Sequence, residues 1–205
     1  MSYRFTTGSV NRGDIYYEDD AGKNTYLDWA EDQLDIVVGA KSMIKMVEAS
    51  TDKITINNGG SDVDLQIKSN NNANLIRTDG GNDRVGIGIN APASTFEVSG
   101  SIARNIKVIT GETNAIGETH NTVLMGDGSG DTAVQLPAAA TCKGRIYTFK
   151  RMNSGEVNCR VTPDGEEVIE AQEGSQSLDT QYNILTIQSD GSTWWILNIV
   201  HMGEG

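Results

Sequence analysis

The chain has 205 residues, 37% of them hydrophobic, with 23 glycines and only 3 prolines, and its 16 basic against 28 acidic side chains leave a net charge of -12. That balance excludes collagen and proline-rich spacers, and no apolar run approaches the ~18 residues of a membrane-spanning helix, so no membrane insertion is expected. An acidic chain opposes a phosphate backbone, which predicts no nucleic-acid partner, and the start, Met1-Ser2-Tyr3-Arg4-Phe5, lacks the apolar stretch of a signal peptide.

In chain order, the first feature is the cluster Tyr16-Tyr17-Glu18-Asp19-Asp20, within an opening segment of about residues 1–24. It reads equally as a docking surface and as a solvated turn. A ladder of short alternating segments follows: Thr25–Trp29, Leu34–Val38, Met43–Val47, Lys53–Asn57, Val63–Lys68, Asn74–Arg77, Arg84–Gly88, Thr95–Ser99 and Ile106–Ile109. Their centres recur every ~9–11 residues, the rhythm of a chain that makes one short strand, turns and makes another. Asn57-Asn58-Gly59-Gly60, Ser69-Asn70-Asn71-Asn72 and Asp79-Gly80-Gly81-Asn82 offer turn residues that tolerate positive φ at little cost. Residues 25–110 are therefore predicted to be all-β.

Each of these strands carries two or three apolar side chains on one face. A lone sheet built from them leaves a hydrophobic face in water, and a sparsely apolar unit gains most by sharing a core with copies of itself. Self-association is the expectation. Residues 111–121, polar and bounded by glycine, suit a connector. Beyond it the apolar runs lengthen: Thr122–Met125, Ala133–Leu136, Gly144–Lys150, Val157–Val161, Glu167–Ile169, Ile184–Ile187 and Thr193–Val200. The spacing predicts a separate β-sandwich over residues 122–205, with Pro137 and Pro163 in turns.

The motifs that approach known chemistry each fail on a necessary part. Gly86-Ile-Gly88-Ile-Asn-Ala91 has dinucleotide spacing, but Pro92 and the strand-like Thr95–Val98 leave no helix to hold a pyrophosphate. Asp127, Ser129 and Asp131 begin like a calcium loop, yet Ala138 stands where a bidentate glutamate is required. Gly80-Gly81-Asn82-Asp83 occurs once and out of register for a calcium-binding repeat. The two histidines, His120 and His201, lie near no nucleophile elbow, and Cys142 and Cys159 form no CxxC motif. No catalytic residue, cofactor or metal is expected. Trp194 and Trp195 are the candidate receptor or glycan contacts: adjacent rings on a strand point to opposite faces, so one belongs in the core and the other lies exposed or at a subunit contact.

The run Asp83-Arg-Val-Gly-Ile-Gly-Ile-Asn-Ala-Pro-Ala-Ser-Thr-Phe-Glu-Val-Ser-Gly-Ser-Ile102 resembles the "VGIGT-x-x-P … L-x-V-x-G-x-I" segment of tail-fibre and other receptor-binding proteins of tailed bacteriophages, departing from it at Ile89. Tyr3–Asp20 followed by Thr25–Trp29 is similar to the start of marine-phage structural proteins. Val134–Pro137, Gly144–Lys150 and Ser189–Trp195 resemble a small β-domain of phage fibres in which the last tryptophan packs inward. The resemblance implies a homotrimeric, β-rich virion component. In that reading residues 1–24 anchor to other virion proteins by way of Tyr16, Tyr17, Asp19 and Asp20, residues 25–110 form a stalk or β-prism, and residues 122–205 form a knob that meets a host-surface glycan. A tail fibre is the leading expectation, a capsid decoration or head-fibre protein the alternative, and a carbohydrate-active enzyme the third.

Overall fold

The computed structural model describes residues 15, 16, 21, 22, 24–111, 114–126, 130–170 and 174–202. The protein is all-β: among the described residues the only helical turn is a 3₁₀ turn at Ala139–Thr141. It divides into two compact units, residues 1–102 and 103–205. The candidate anchoring residues Tyr17, Asp19 and Asp20 lie outside the described residues.

The first unit begins with five strands, β1 (Ile15–Tyr16), β2 (Tyr26–Ala30), β3 (Gln33–Val38), β4 (Lys41–Val47) and β5 (Lys53–Ile56), paired antiparallel in chain order. Two-residue turns, Glu31–Asp32 and Gly39–Ala40, join the three central strands of this meander. Gly39 and Ala40 both adopt positive φ, 57° and 62°, the conformation whose twist suits a tight hairpin. The register then sorts the side chains cleanly. Ile15, Leu27, Ile36, Ile44 and Ile56 stand side by side across the sheet, and on the same face a second ladder runs through Trp29, Leu34, Met46 and Ile54. The opposite face carries Asp28, Asp35, Lys45 and Thr55 in one row.

The same unit holds a second sheet of β6 (Gln66–Ile67), β7 (Ile76–Asp79), β8 (Arg84–Ile87) and β9 (Phe96–Val98). The strand expected over Val63–Lys68 shrinks to two residues because the Leu65 N–H donates to the Thr78 hydroxyl, and a Cβ on Gly80 would stand 2.8 Å from the Val63 carbonyl. β8 and β9 run parallel, joined by the Asn-Ala-Pro turn. Gly86 serves that turn directly, since a Cβ there would lie 2.7 Å from Ile89 Cγ2. Its close approach is thus to its own loop.

The second unit winds differently. Strands β10 (Ile106–Ile109), β12 (Thr122–Met125) and β14 (Ile146–Arg151) stack in parallel, then continue antiparallel into β17 (Ile184–Ser189) and β18 (Trp194–Val200). Strands β11 (Asn114–Ala115), β13 (Thr132–Gln135) and β15 (Cys159–Thr162) stack in parallel in the other sheet, closed by antiparallel β16 (Gln176–Ser177). The chain therefore crosses between two sheets at each step from β10 to β15. The two sheets of the expected sandwich are present, and the chain coils between them through parallel pairs. The boundary also moves: Ile106–Ile109 and the supposed connector belong to this unit, because Ile106 pairs with Thr122 and Ile116 is buried in its core.

The units differ most in what they bury. One contiguous core joins both sheets of the second unit, including Val123, Met125, Val134, Tyr147, Phe149 and Trp194. Of the buried apolar side chains described, only Val37 and Pro92 belong to the first unit. At ~1.5–3 kcal/mol for each fully buried large apolar side chain, the second unit has an ample hydrophobic driving force and the first has almost none of its own.

Candidate functional site

The two adjacent tryptophans open β18, and strand alternation sends them to opposite sides. Trp194 is fully buried; its ring centroid lies 5.5 Å from that of Tyr147, which is 6.1 Å from Phe149. This aromatic cluster fixes the end of β18 against the core. Trp194 is accordingly withdrawn from any receptor, which corrects its place among the candidate contacts. Among the described residues its indole N–H has no hydrogen-bond partner, a cost of ~1–3 kcal/mol that burial of the ring must offset.

Trp195 is 47% exposed on the outer face. Its orientation is set by the turn that precedes the strand. Asp190 accepts from the Ser192 N–H at 2.7 Å, the Ser192 hydroxyl at 2.8 Å and the Thr193 N–H at 2.9 Å through Oδ1, while Oδ2 accepts from Trp195 Nε1 at 2.7 Å. An aspartate followed by glycine and serine favours this local turn, and Gly191 supplies the positive φ of 95°. The Trp195 hydrogen bond, followed by those of Thr193 and Ser192, holds the Asp190 carboxyl well below the usual carboxylate range. Register places Trp195 beside Gln188 and Ile146. The next row on that face is Asn198, Thr186, Thr148 and Thr122, with the Thr148 and Thr186 hydroxyl oxygens 3.2 Å apart. An indole plane beside a line of amide and hydroxyl groups can stack on the apolar face of a sugar ring and exchange hydrogen bonds with its hydroxyls.

The polar residues of the other motifs are engaged in building turns. Asp79 accepts from the Asn82 backbone and side chain, and Asp64 accepts from Gly80 N–H at 2.9 Å while pairing with Arg77 at 2.7 Å. The Gly80 hydrogen bond, with Arg77 adding to it, lowers the Asp64 pKa. Asp131 accepts from the Asn158 backbone at 2.8 Å and side chain at 2.9 Å, while its former loop partners Asp127 and Ser129 lie outside the described residues. His120 Nδ1 accepts from the Gly117 N–H at 3.2 Å. Glu167 caps the start of the 3₁₀ turn from a distance, both its oxygens 3.0 Å from the Ala139 N–H. Cys142 and Cys159 are free and buried. Among the described residues no three His, Cys, Asp or Glu side chains converge as metal ligands.

A polar cluster that sequence reading missed sits at the end of β14. Arg151 is 1% exposed and donates only to backbone carbonyls: Nε to Asn153 at 3.0 Å, Nη1 to Leu178 and Asp179, and Nη2 to Gly155 at 2.6 Å. Asn153, fully buried, donates to the Gly130 carbonyl at 2.6 Å and leaves no room for a Cβ on Gly126. Strand parity held the signal, since Arg151 follows Tyr147 and Phe149 on the inward face. The cluster ties three loops together through donors spent on the protein's own backbone carbonyls.

No protein-family model matches this chain, and no curated protein matches it. What the surface offers to a partner is an oriented aromatic plane in the second unit and an uncovered apolar sheet in the first.

Proposed function

We propose that this protein is a structural component of a bacteriophage virion, a short homotrimeric fibre that mediates host attachment and carries no catalytic site. In this reading the first unit is the stalk, built by association of copies, and the second is the knob. The opening residues, about 1–24, join the fibre to other virion proteins. Trp195, alone of the two adjacent tryptophans, faces a host-surface glycan.

The observation that carries this reading is the contrast between a second unit with a closed core and a first unit whose buried apolar side chains, among the described residues, are only Val37 and Pro92. A monomeric soluble domain of about a hundred residues normally encloses its own core. A stalk does not need to, because its core forms between chains. The resemblance of Asp83–Ile102 to fibre segments points the same way, and weak single contacts multiplied by threefold avidity suit adhesion. The test is to locate the chain on intact particles with a labelled antibody. Label at the tail is expected; label on the capsid surface would favour a decoration protein, and its absence from particles would overturn the reading.

A further inference from the structure

We infer that the apolar face of the β1–β5 sheet is the contact between copies of this chain, the copies turning that face toward one another about a shared axis. The inference rests on the fibre reading for its biological setting but not for its geometry.

The face is single-layered and open. Ile54 is 71% exposed, Ile15 60%, Trp29 52% and Ile56 47%, all at the margins of the two ladders, whose central members are only half-buried by one another. Together the ladders present on the order of 600 Å² per copy, at the top of the range for the largest apolar patch on a monomer. Two such faces bury roughly 1,200 Å² in all, which reaches the size of specific, stable interfaces.

The chemistry selects a copy over a foreign partner. Neither ladder contains a charged residue, so nothing on the face recognises an opposite charge. Chains of net charge -12 repel one another over most of their surface, and an uncharged face is where two of them can meet without juxtaposing carboxylates. The chain's own start is a poor cover: residues 1–14 contain only Met1, Tyr3, Phe5 and Val10 as large apolar or aromatic side chains, against nine on the face. The opposite face does not offer the same contact: it carries the charged Asp28, Asp35 and Lys45 in one row, and there Asp35 is already buried with Val37 and accepts from the Ser42 hydroxyl at 2.6 Å.

Sedimentation equilibrium on the full chain tests this. A mass that is a multiple of the single chain is expected, falling to one chain in Ile54→Asp and unchanged in Thr55→Asp, whose side chain lies on the other face. Should Ile54→Asp fail to fold, Ile54→Cys replaces it, and oxidation is expected to join copies through that position, the native Cys142 and Cys159 being buried. A monomeric wild-type chain overturns the inference, because the face is then covered by the chain's own start or by a foreign partner. So does an oligomer that survives Ile54→Asp and that Ile54→Cys does not cross-link. An oligomer sensitive to Ile54→Asp but absent from virions would retire the fibre reading and leave this interface standing.

Discussion

The indole N–H of Trp195 donates to Asp190 Oδ2 at 2.7 Å, so the tryptophan left on the surface is tied to the turn that launches its own strand. The carboxylate that holds it also closes the turn through Ser192 and Thr193. Because the folded Asp190 pKa is depressed, this contribution is complete above the ordinary value of 3.8 and is lost only as the pH falls through the lower folded value. The Trp195 indole N–H resonance should therefore hold steady from neutral pH to about pH 4, as the linkage requires, and move only in stronger acid. Asp190→Ala should shift it at every pH, and Trp195→Ala should abolish glycan binding while the fold survives. A resonance that titrates near pH 4 in the wild type would contradict the bond.

Gly126 faces the Asn153 carboxamide with φ at 91°, a position closed to any side chain. Gly126→Ala should cost about 3 kcal/mol or more, through clash, strained backbone and displacement of the buried asparagine. Arg151→Met should cost a similar amount, about 3 kcal/mol, because four carbonyl oxygens lose their donor. Urea unfolding followed by tryptophan emission measures both; losses below about 1 kcal/mol would show that the loops do not depend on this cluster.

Ala40 pays for its left-handed backbone, which a β-carbon disfavours by ~1–2 kcal/mol. Ala40→Gly relieves that strain but adds freedom to the unfolded chain, so the net gain should be about 0.5–1 kcal/mol. A higher thermal midpoint for the first unit is the expected readout. Ala40→Val should lower it.

Alkaline conditions should loosen the second unit. Burial raises the pKa of Tyr147, whose hydroxyl donates to the Gly117 carbonyl at 3.0 Å, and burial raises that of the Cys159 thiol as well. For an acid whose folded pKa is raised, stability is fully present below the unfolded value and declines as pH rises through the folded one. Urea stability should hold to about pH 8 and fall from about pH 9–10 upward, with the tyrosine part of the slope absent in Tyr147→Phe.

Much of the strand ladder was legible because alternation and turn chemistry are local properties. Ile106–Ile109 and Thr122–Met125 match their expected limits, and all three prolines fall outside strands. What lay hidden was pairing. Nothing in the periodicity of Thr122–Met125 says whether its neighbour runs parallel, so the coiled path of the second unit was not predictable, and neither was the transfer of Ile106–Ile109 into it. β11 and β16 are two-residue strands without a pattern of their own, defined only by partners far along the chain. At the surface, alternation separated Trp194 from Trp195 without deciding which was buried. The decision came from strand register, which sets Trp194 opposite the inward-facing Ser189.

The winding of the second unit also bears on time. In the first unit each strand of the meander pairs with the next, so its contacts close short loops. In the second, Ile106 waits for Thr122, Thr122 for Thr148, and Ile146 for Gln188. Contacts so separated in sequence slow folding, since loop entropy is lost before pairing repays it. Refolding followed by burial of Trp194 should accordingly lag the formation of strand signal in the first unit. Synthesis from the N-terminus therefore releases the quick hairpins first, with their apolar face bare, while the slow half is still being made.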